Sequence, residues 1–159
     1  MARSEVRTVV VRRWMTILLL LTATIVIAAV TISLSGRVYQ KIDPVPFHEL
    51  RILSHRLARG PVPISVVIAL LMPMILNMLI FVPWGMLMFL SLDTDDRPTN
   101  QSYVITFILG LGFSSCVEAY QYFLPTRVTD VNDVIWNGVG ALLGAFLGHL
   151  RKRVRVTFE

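Results

Sequence analysis

The side chains best placed to do chemistry are acidic and amide groups inside two long apolar stretches near the carboxyl end. Glu118 lies in the first stretch, and Gln121 follows three positions later on the same helical face. Asp130, Asp133 and Asn137 open the second stretch and also share one face. A charged side chain within lipid costs roughly 2.5–3.5 kcal/mol on insertion scales. Such groups are therefore expected to have partners or a purpose.

The connection between these two stretches, Pro125 to Asp130, is short, which makes the two predicted helices antiparallel neighbours. Helical rise places Glu118 roughly 9 Å below the end of its helix and Asn137 about 10 Å into the next one, so both reach a similar depth. We therefore expect one polar pocket between the facing helices. Its predicted walls are Glu118, Gln121, Arg127, Asp130, Asp133 and Asn137.

Each of these residues also has a purely structural interpretation. Asp130 is a good N-cap, and Asp133 suits the positive end of the helix dipole. Asn137 can link two helices, and a protonated Glu118 can donate one hydrogen bond. The concentration of the whole set around one hairpin favours function, since the other two apolar stretches carry almost no charge.

The sequence gives only weak indications of a metal site and none of a catalytic nucleophile. Asp130 and Asp133 are candidate ligands for a hard cation such as Mg²⁺ or Ca²⁺, although carboxylates alone indicate such a site only weakly. His48, His55 and His149 are dispersed, and no histidine and cysteine have zinc-ligand spacing. The sequence has no phosphate-binding glycine loop and no recognisable nucleophile with a histidine. It identifies no cofactor and leaves open whether the protein is an enzyme.

Four apolar segments must position these groups. The chain of 159 residues is 55% hydrophobic with a mean hydropathy of +0.67, which predicts one all-α integral membrane domain over 1–159. A bilayer core of about 30 Å requires about 20 apolar residues in a helix. The predicted transmembrane helices cover residues 15–35, 64–92, 102–124 and 131–149. The charge-free stretch around the second, 60–92, is too long for one perpendicular crossing, so it must tilt, kink at Pro73 or Pro83, or begin in the membrane interface near Pro61 and Pro63.

The longest connection, 36–63, has two interpretations. Its apolar residues Phe47, Leu50, Leu53 and Leu57 fall on one helical face, which predicts an amphipathic helix at the membrane interface. The alternative is an ordinary loop with chance periodicity, since the segment is short and ends at Gly60-Pro61.

The basic residues predict the orientation in the membrane. Nine of the 15 lysines and arginines flank the first and last spans or the middle turn, and this side is predicted to be cytoplasmic together with both termini. The net charge of +5 does not form a basic stripe with interleaved aromatics, so membrane lipid rather than nucleic acid is the expected partner. The first span is longer than a usual signal-peptide core of about 7–15 residues, which favours a retained helix.

Three ordered stretches carry a family resemblance. Residues 77–85 have the pattern Asn-x-x-x-Phe-x-Pro-x-Gly, and residues 114–121 have the pattern Ser-x-x-x-Glu-x-x-Gln. Residues 127–140 have the most specific pattern, Arg-x-x-Asp-x-x-Asp-x-x-x-Asn-x-x-Gly. Together they resemble the VanZ-like family of small bacterial membrane proteins. The amino-terminal half has no distinctive match to that family.

The resemblance implies a location in the bacterial plasma membrane and cell envelope, and a link to resistance against the glycopeptide antibiotic teicoplanin. The biochemical activity of the family is not established. Its pattern falls on Asn77, Glu118, Gln121, Arg127, Asp130, Asp133 and Asn137. This set contains every residue of the pocket that spacing alone predicts, and it adds Asn77.

Three hypotheses follow. In the first, an outward-facing pocket binds a lipid-linked or surface ligand, such as a lipid-linked cell-wall precursor, and Arg127 contacts its phosphate or carboxylate. In the second, the protein is an intramembrane enzyme in which Glu118 is an acid or base, while Asp130 and Asp133 hold a cation over a lipid headgroup. In the third, the protein is a scaffold that packs against a partner helix through small residues, a face that would equally serve internal packing. That face consists of Gly140, Gly144 and Gly148.

Overall fold

The computed structural model describes residues 11–33, 42–94, 97–124, 129–151 and 156–157. These residues form helices with short strands at their ends. The helices are α1 (Arg13–Ser33), α2 (His48–Leu57), α3 (Ile64–Leu92), α4 (Thr99–Tyr122) and α5 (Val131–Leu150). The strands, each of two residues, are β1 (Val11–Arg12), β2 (Ile42–Asp43), β3 (Thr129–Asp130) and β4 (Val156–Thr157).

The prediction of an all-α membrane protein with four transmembrane helices is confirmed. Helices α1, α3, α4 and α5 are each long and apolar enough to cross a bilayer. The bounds of α3 agree with the predicted span, whereas α4 begins three residues before Ser102. The reason is local, since the carbonyl of Pro98 accepts the amides of Gln101 and Ser102 and so starts the helix early. Residues 34 and 35 of the first predicted span lie outside the described residues.

Helices α3 and α5 form the most extensive helix pair, and glycines bring their backbones into contact. A methyl group added at Gly140 would overlap the carbonyl oxygen of Met78, and one at Gly144 would overlap that of Val82. At Gly148 the added carbon would lie 3.2 Å from the ring of Phe89. The face formed by Gly140, Gly144 and Gly148 is therefore occupied by α3 within the chain, as the internal-packing alternative predicted.

Helix α1 joins this pair through an aromatic cluster. The indole nitrogen of Trp84 on α3 donates to the Thr24 hydroxyl at 2.9 Å, and Ile27 packs with Phe81 and Trp84 in the core. The ring of Phe113 from α4 stacks on Trp84 with centroids 5.7 Å apart. One face of α1 is thus attached to the bundle, while most of its other large side chains are exposed.

The strands close the bundle at opposite ends. β1 pairs with β4, beside the amino end of α1 and the carboxyl end of α5. At the other end β2 pairs with β3, where Asp43 lies opposite Asp130. Helix α1 runs from the β1–β4 pair toward the β2–β3 pair, and α5 runs in the opposite direction. The two ends of the described chain therefore lie on the same side of the bundle.

The connection before α3 contains the short helix α2. Its backbone is helical over His48–Leu57, so the helical interpretation of this segment is confirmed. No residue of α2 is buried, and Leu50 and Leu57 are exposed together with Arg51 and Arg56. Location of α2 at the membrane interface stays a prediction.

Candidate functional site

The four transmembrane helices line a partly open cavity of about 390 Å³ near the end that carries β2 and β3. We call it the polar cavity. Its polar lining consists of Thr31, Asn77, Glu118, Gln121, Asp133 and Asn137, and its apolar lining of Ile27, Ala69, Met72, Pro73, Leu76, Phe81 and Val117. Pockets of roughly 300–1,000 Å³ with a few convergent polar groups are typical small-molecule sites.

Glu118 joins α4 to the start of α5. Its side chain is buried, and Oε2 accepts the backbone N–H of Asp130 at 2.9 Å. The hydroxyl of Thr129 donates to the backbone carbonyl oxygen of Glu118 at 3.3 Å, so the residue before Asp130 is also attached to α4. The carboxyl group therefore lies inside the protein beside α5, as the hairpin argument expected, and it also borders the polar cavity.

Asp133 is paired with a residue of α3. The amide nitrogen of Asn77 on α3 donates to Oδ1 of Asp133. Spacing within the last two spans gives no indication of this contact, because it depends on how α3 crosses α5. The family pattern was the signal that included Asn77.

Asn137 lines the polar cavity and carries a buried oxygen that has no hydrogen-bond donor among the described residues. The side chain is only 6% exposed, and its Nδ2 donates to the Ser114 hydroxyl at 2.8 Å. Its Oδ1 is buried and accepts no hydrogen bond from any described residue. Burying such an acceptor without a donor costs about 1–3 kcal/mol.

Gln121 fixes the α1 wall. It is buried, and its Nε2 donates to the carbonyl oxygen of Thr31 at 2.9 Å. The Thr31 hydroxyl in turn donates to the carbonyl of Ile27 at 2.7 Å. These contacts hold the carboxyl-terminal half of α1 against α4 at the border of the cavity.

Asp130 and Arg127 differ from the other predicted pocket residues. Asp130 is the N-cap of α5, and its Oδ1 accepts from the backbone nitrogen of Asn132 at 2.7 Å. Burial raises the pKa of Asp130 while the Asn132 hydrogen bond opposes that rise. Asp130 does not line the polar cavity, because its carboxylate turns back onto the helix start. Arg127 lies outside the described residues.

Asn132 is a residue that sequence reasoning missed. It is 2% exposed, its Nδ2 donates to the carbonyl of Val45 at 3.2 Å, and its Oδ1 accepts the N–H of Phe47. The Phe47 ring also meets Trp136 edge-on, with centroids 6.1 Å apart. Asn132 thereby fastens the segment before α2 to the start of α5. Its only sequence signal is an amide set between two aspartates, off the face that they share.

The described residues contain no group of three or more histidine, cysteine or acidic side chains arranged to hold a metal ion. Asp133 borders the polar cavity and Asp130 does not, so the two carboxylates do not face a common space there. The divalent-cation hypothesis therefore gains no further ligand from the described part of the chain.

Four spanning helices around a polar, carboxylate-bearing cavity define a small polytopic membrane protein. The VanZ/LLP1 family model matches residues 14–152, and the chain belongs to that family. The match includes the amino-terminal half, where the three sequence patterns gave no indication. No curated protein and no solved structure matches the chain. The VanZ family is linked in general to glycopeptide resistance.

Proposed function

We propose that this protein is a multi-pass protein of the bacterial plasma membrane whose polar cavity binds a lipid-linked or surface ligand of the cell envelope. The observation that carries the proposal is Asn137, a buried amide that lines the polar cavity together with two other amides, Asn77 and Gln121. Its cavity neighbours Asn77 and Gln121 are held by hydrogen bonds to other helices. A ligand would therefore meet polar groups that are already oriented, which lowers the entropic cost of binding.

The proposed orientation places both termini in the cytoplasm and the polar cavity on the outer side. The sequence near the β1 and β4 end is rich in arginine, both before α1 and after α5. Basic residues close to span ends favour the cytoplasmic side. The cavity lies toward the opposite end, with β2 and β3, so this orientation directs it toward the cell wall.

An enzymatic alternative uses the same cavity. Glu118 borders it and would act as an acid or base on a lipid headgroup. The position of Asp130 weakens the version that needs a cation held by Asp130 and Asp133, since Asp130 caps α5 instead. Ligand binding is the better supported function because it requires only the groups that surround the cavity.

The proposal is tested by expressing variants in a glycopeptide-susceptible bacterium and measuring teicoplanin susceptibility beside thermal unfolding of the purified protein. Glu118→Gln and Asp133→Asn retain the size of the side chain and its capacity to accept hydrogen bonds, so both variants should fold. Each removes a carboxylate from the lining of the cavity, so both should lose protection. Tyr120→Phe on α4 is the control, since Tyr120 is exposed and does not line the cavity. Full protection by both cavity variants, or loss of folding in both, would refute a binding role for the cavity.

A further inference from the structure

One wall of the polar cavity is also part of the outer surface of the helix bundle. Met72 and Leu76 on α3 line the cavity, yet they are 43% and 49% exposed. Ala69 and Pro73, on the same part of α3, line it and are exposed as well. Because α3 spans the bilayer, exposed apolar residues at this depth contact acyl chains. The cavity thus borders the hydrocarbon region of the membrane.

The opposite edge of this opening is α1, which is held in place rather than packed along its length. Gln121 binds the Thr31 carbonyl and Trp84 binds the Thr24 hydroxyl. Ile27, between these two attachments, is buried and lines the cavity. The opening therefore has a fixed edge on α1 and an apolar, lipid-contacting edge on α3.

Pro73 leaves one backbone carbonyl on the α3 edge without its usual helical hydrogen bond. A proline has no N–H, so it cannot donate to the carbonyl four residues earlier, which is that of Ala69. Ala69 and Pro73 both line the cavity. Four residues further along the same helix, the lining becomes polar at Asn77, which binds Asp133. The α3 wall thus changes from apolar to polar within one turn.

We propose that the cavity admits its ligand sideways from the bilayer, between α1 and α3, and that this ligand is an amphiphile whose polar headgroup binds among the polar side chains of the cavity. The inference rests on the proposed binding function and names its ligand class. The headgroup contacts the polar lining, which includes Asn77, Gln121 and Asn137. The hydrocarbon chain stays in contact with Met72, Pro73 and Leu76, partly outside the cavity.

The experiment uses the full-length protein extracted from membranes of phosphatidylethanolamine and phosphatidylglycerol, with retained lipid measured by native mass spectrometry. Leu76→Trp and Met72→Trp place a bulky ring at the opening on positions that already face lipid. Retained lipid should fall roughly tenfold in each, which corresponds to about 1.4 kcal/mol of binding free energy. Ile75→Trp is the matched control, because Ile75 is exposed on the same helix and does not line the cavity.

Soluble glycerophosphoethanolamine, a headgroup without hydrocarbon chains, distinguishes failure of the lateral route from failure of the binding function of the cavity. If it raises the unfolding temperature of wild type and Leu76→Trp equally while no lipid is retained by wild type, entry from water is shown and the lateral route is overturned. If lipid retention is the same in wild type, Leu76→Trp and Ile75→Trp, the lateral route is likewise overturned. If Asn137→Leu changes neither lipid retention nor the response to the soluble probe, the binding function of the cavity fails too.

Discussion

The buried carboxylate of Glu118 accepts the backbone N–H of Asp130 at 2.9 Å, which joins the last turns of α4 to the residue that caps α5. The acid of the predicted pocket therefore also holds the hairpin together. Asp133, in the first turn of α5, is held by Asn77 from α3. Through these two contacts α3, α4 and α5 meet at the polar cavity.

Replacing Glu118 should separate its structural and functional contributions. Glu118→Gln keeps an acceptor for the Asp130 amide, whereas Glu118→Ala leaves that buried N–H without it and should lower the free energy of unfolding by about 1–3 kcal/mol. The measurement is reversible unfolding in detergent, monitored by circular dichroism. Equal stability of the Ala and Gln variants would show that the contact does not hold the hairpin.

Removing the amide of Asn132 should release the segment before α2. Asn132→Ala deletes the contacts to Val45 and Phe47, and each hydrogen bond is worth about 0.5–1.5 kcal/mol. We expect faster proteolytic cleavage within residues 42–60 and a lower unfolding temperature. The control is Gln101→Ala, because Gln101 is exposed at the start of α4. Cleavage rates that match in the two variants would contradict the role of Asn132.

Adding one methyl group should test the contact between α3 and α5. Gly144→Ala would overlap Val82 and the backbone of Met86, whereas Gly112→Ala meets nothing within 4 Å. Overpacking of this kind costs about 1–3 kcal/mol, so Gly144→Ala should unfold at a lower temperature. Gly112→Ala should match wild type or exceed it, since alanine favours helix more than glycine does. A stable Gly144→Ala protein would place the helices further apart than the structure does.

The pair of His48 and Asp43 should make stability at the cavity end depend on pH. Nδ1 of His48 lies 2.6 Å from Oδ2 of Asp43, and this hydrogen bond raises the pKa of His48 and lowers that of Asp43. The histidine contribution is complete below its ordinary pKa of 6.5 and is lost as pH rises through the raised value. The aspartate contribution is complete above its ordinary 3.8 and is lost as pH falls through the lowered value.

Stability from this pair should therefore be greatest between the two ordinary pKa values and should decline toward alkaline pH. Nuclear magnetic resonance titration of labelled histidines should give His48 a pKa above 6.5. The His48→Gln variant should lose the decline in unfolding temperature that wild type shows as pH rises through that value. His55→Gln is the control, because no contact of His55 with Asp43 is seen in the described residues. An unshifted His48 would contradict the contact.

Hydropathy was sufficient for the spans, because an uninterrupted apolar run has few alternatives to a membrane helix, and Ile64–Leu92 agrees with its prediction. Side-chain spacing placed Glu118 and Asn137 on facing helices because a short turn leaves no other arrangement. It gave no indication of the contact between Asn77 and Asp133, since that contact depends on the glycine-mediated approach of α3 to α5. The pairing of β2 with β3 could not be predicted from the sequence either, since strands of two residues have no periodic pattern.

The most direct measurement is an experimental density map of the protein in lipid nanodiscs. We expect non-protein density inside the polar cavity, in contact with the polar lining at Asn77, Gln121 and Asn137 and continuing past Met72 and Leu76 toward the bilayer. A cavity filled by the protein's own side chains, with no non-protein density between α1 and α3, would contradict the proposal.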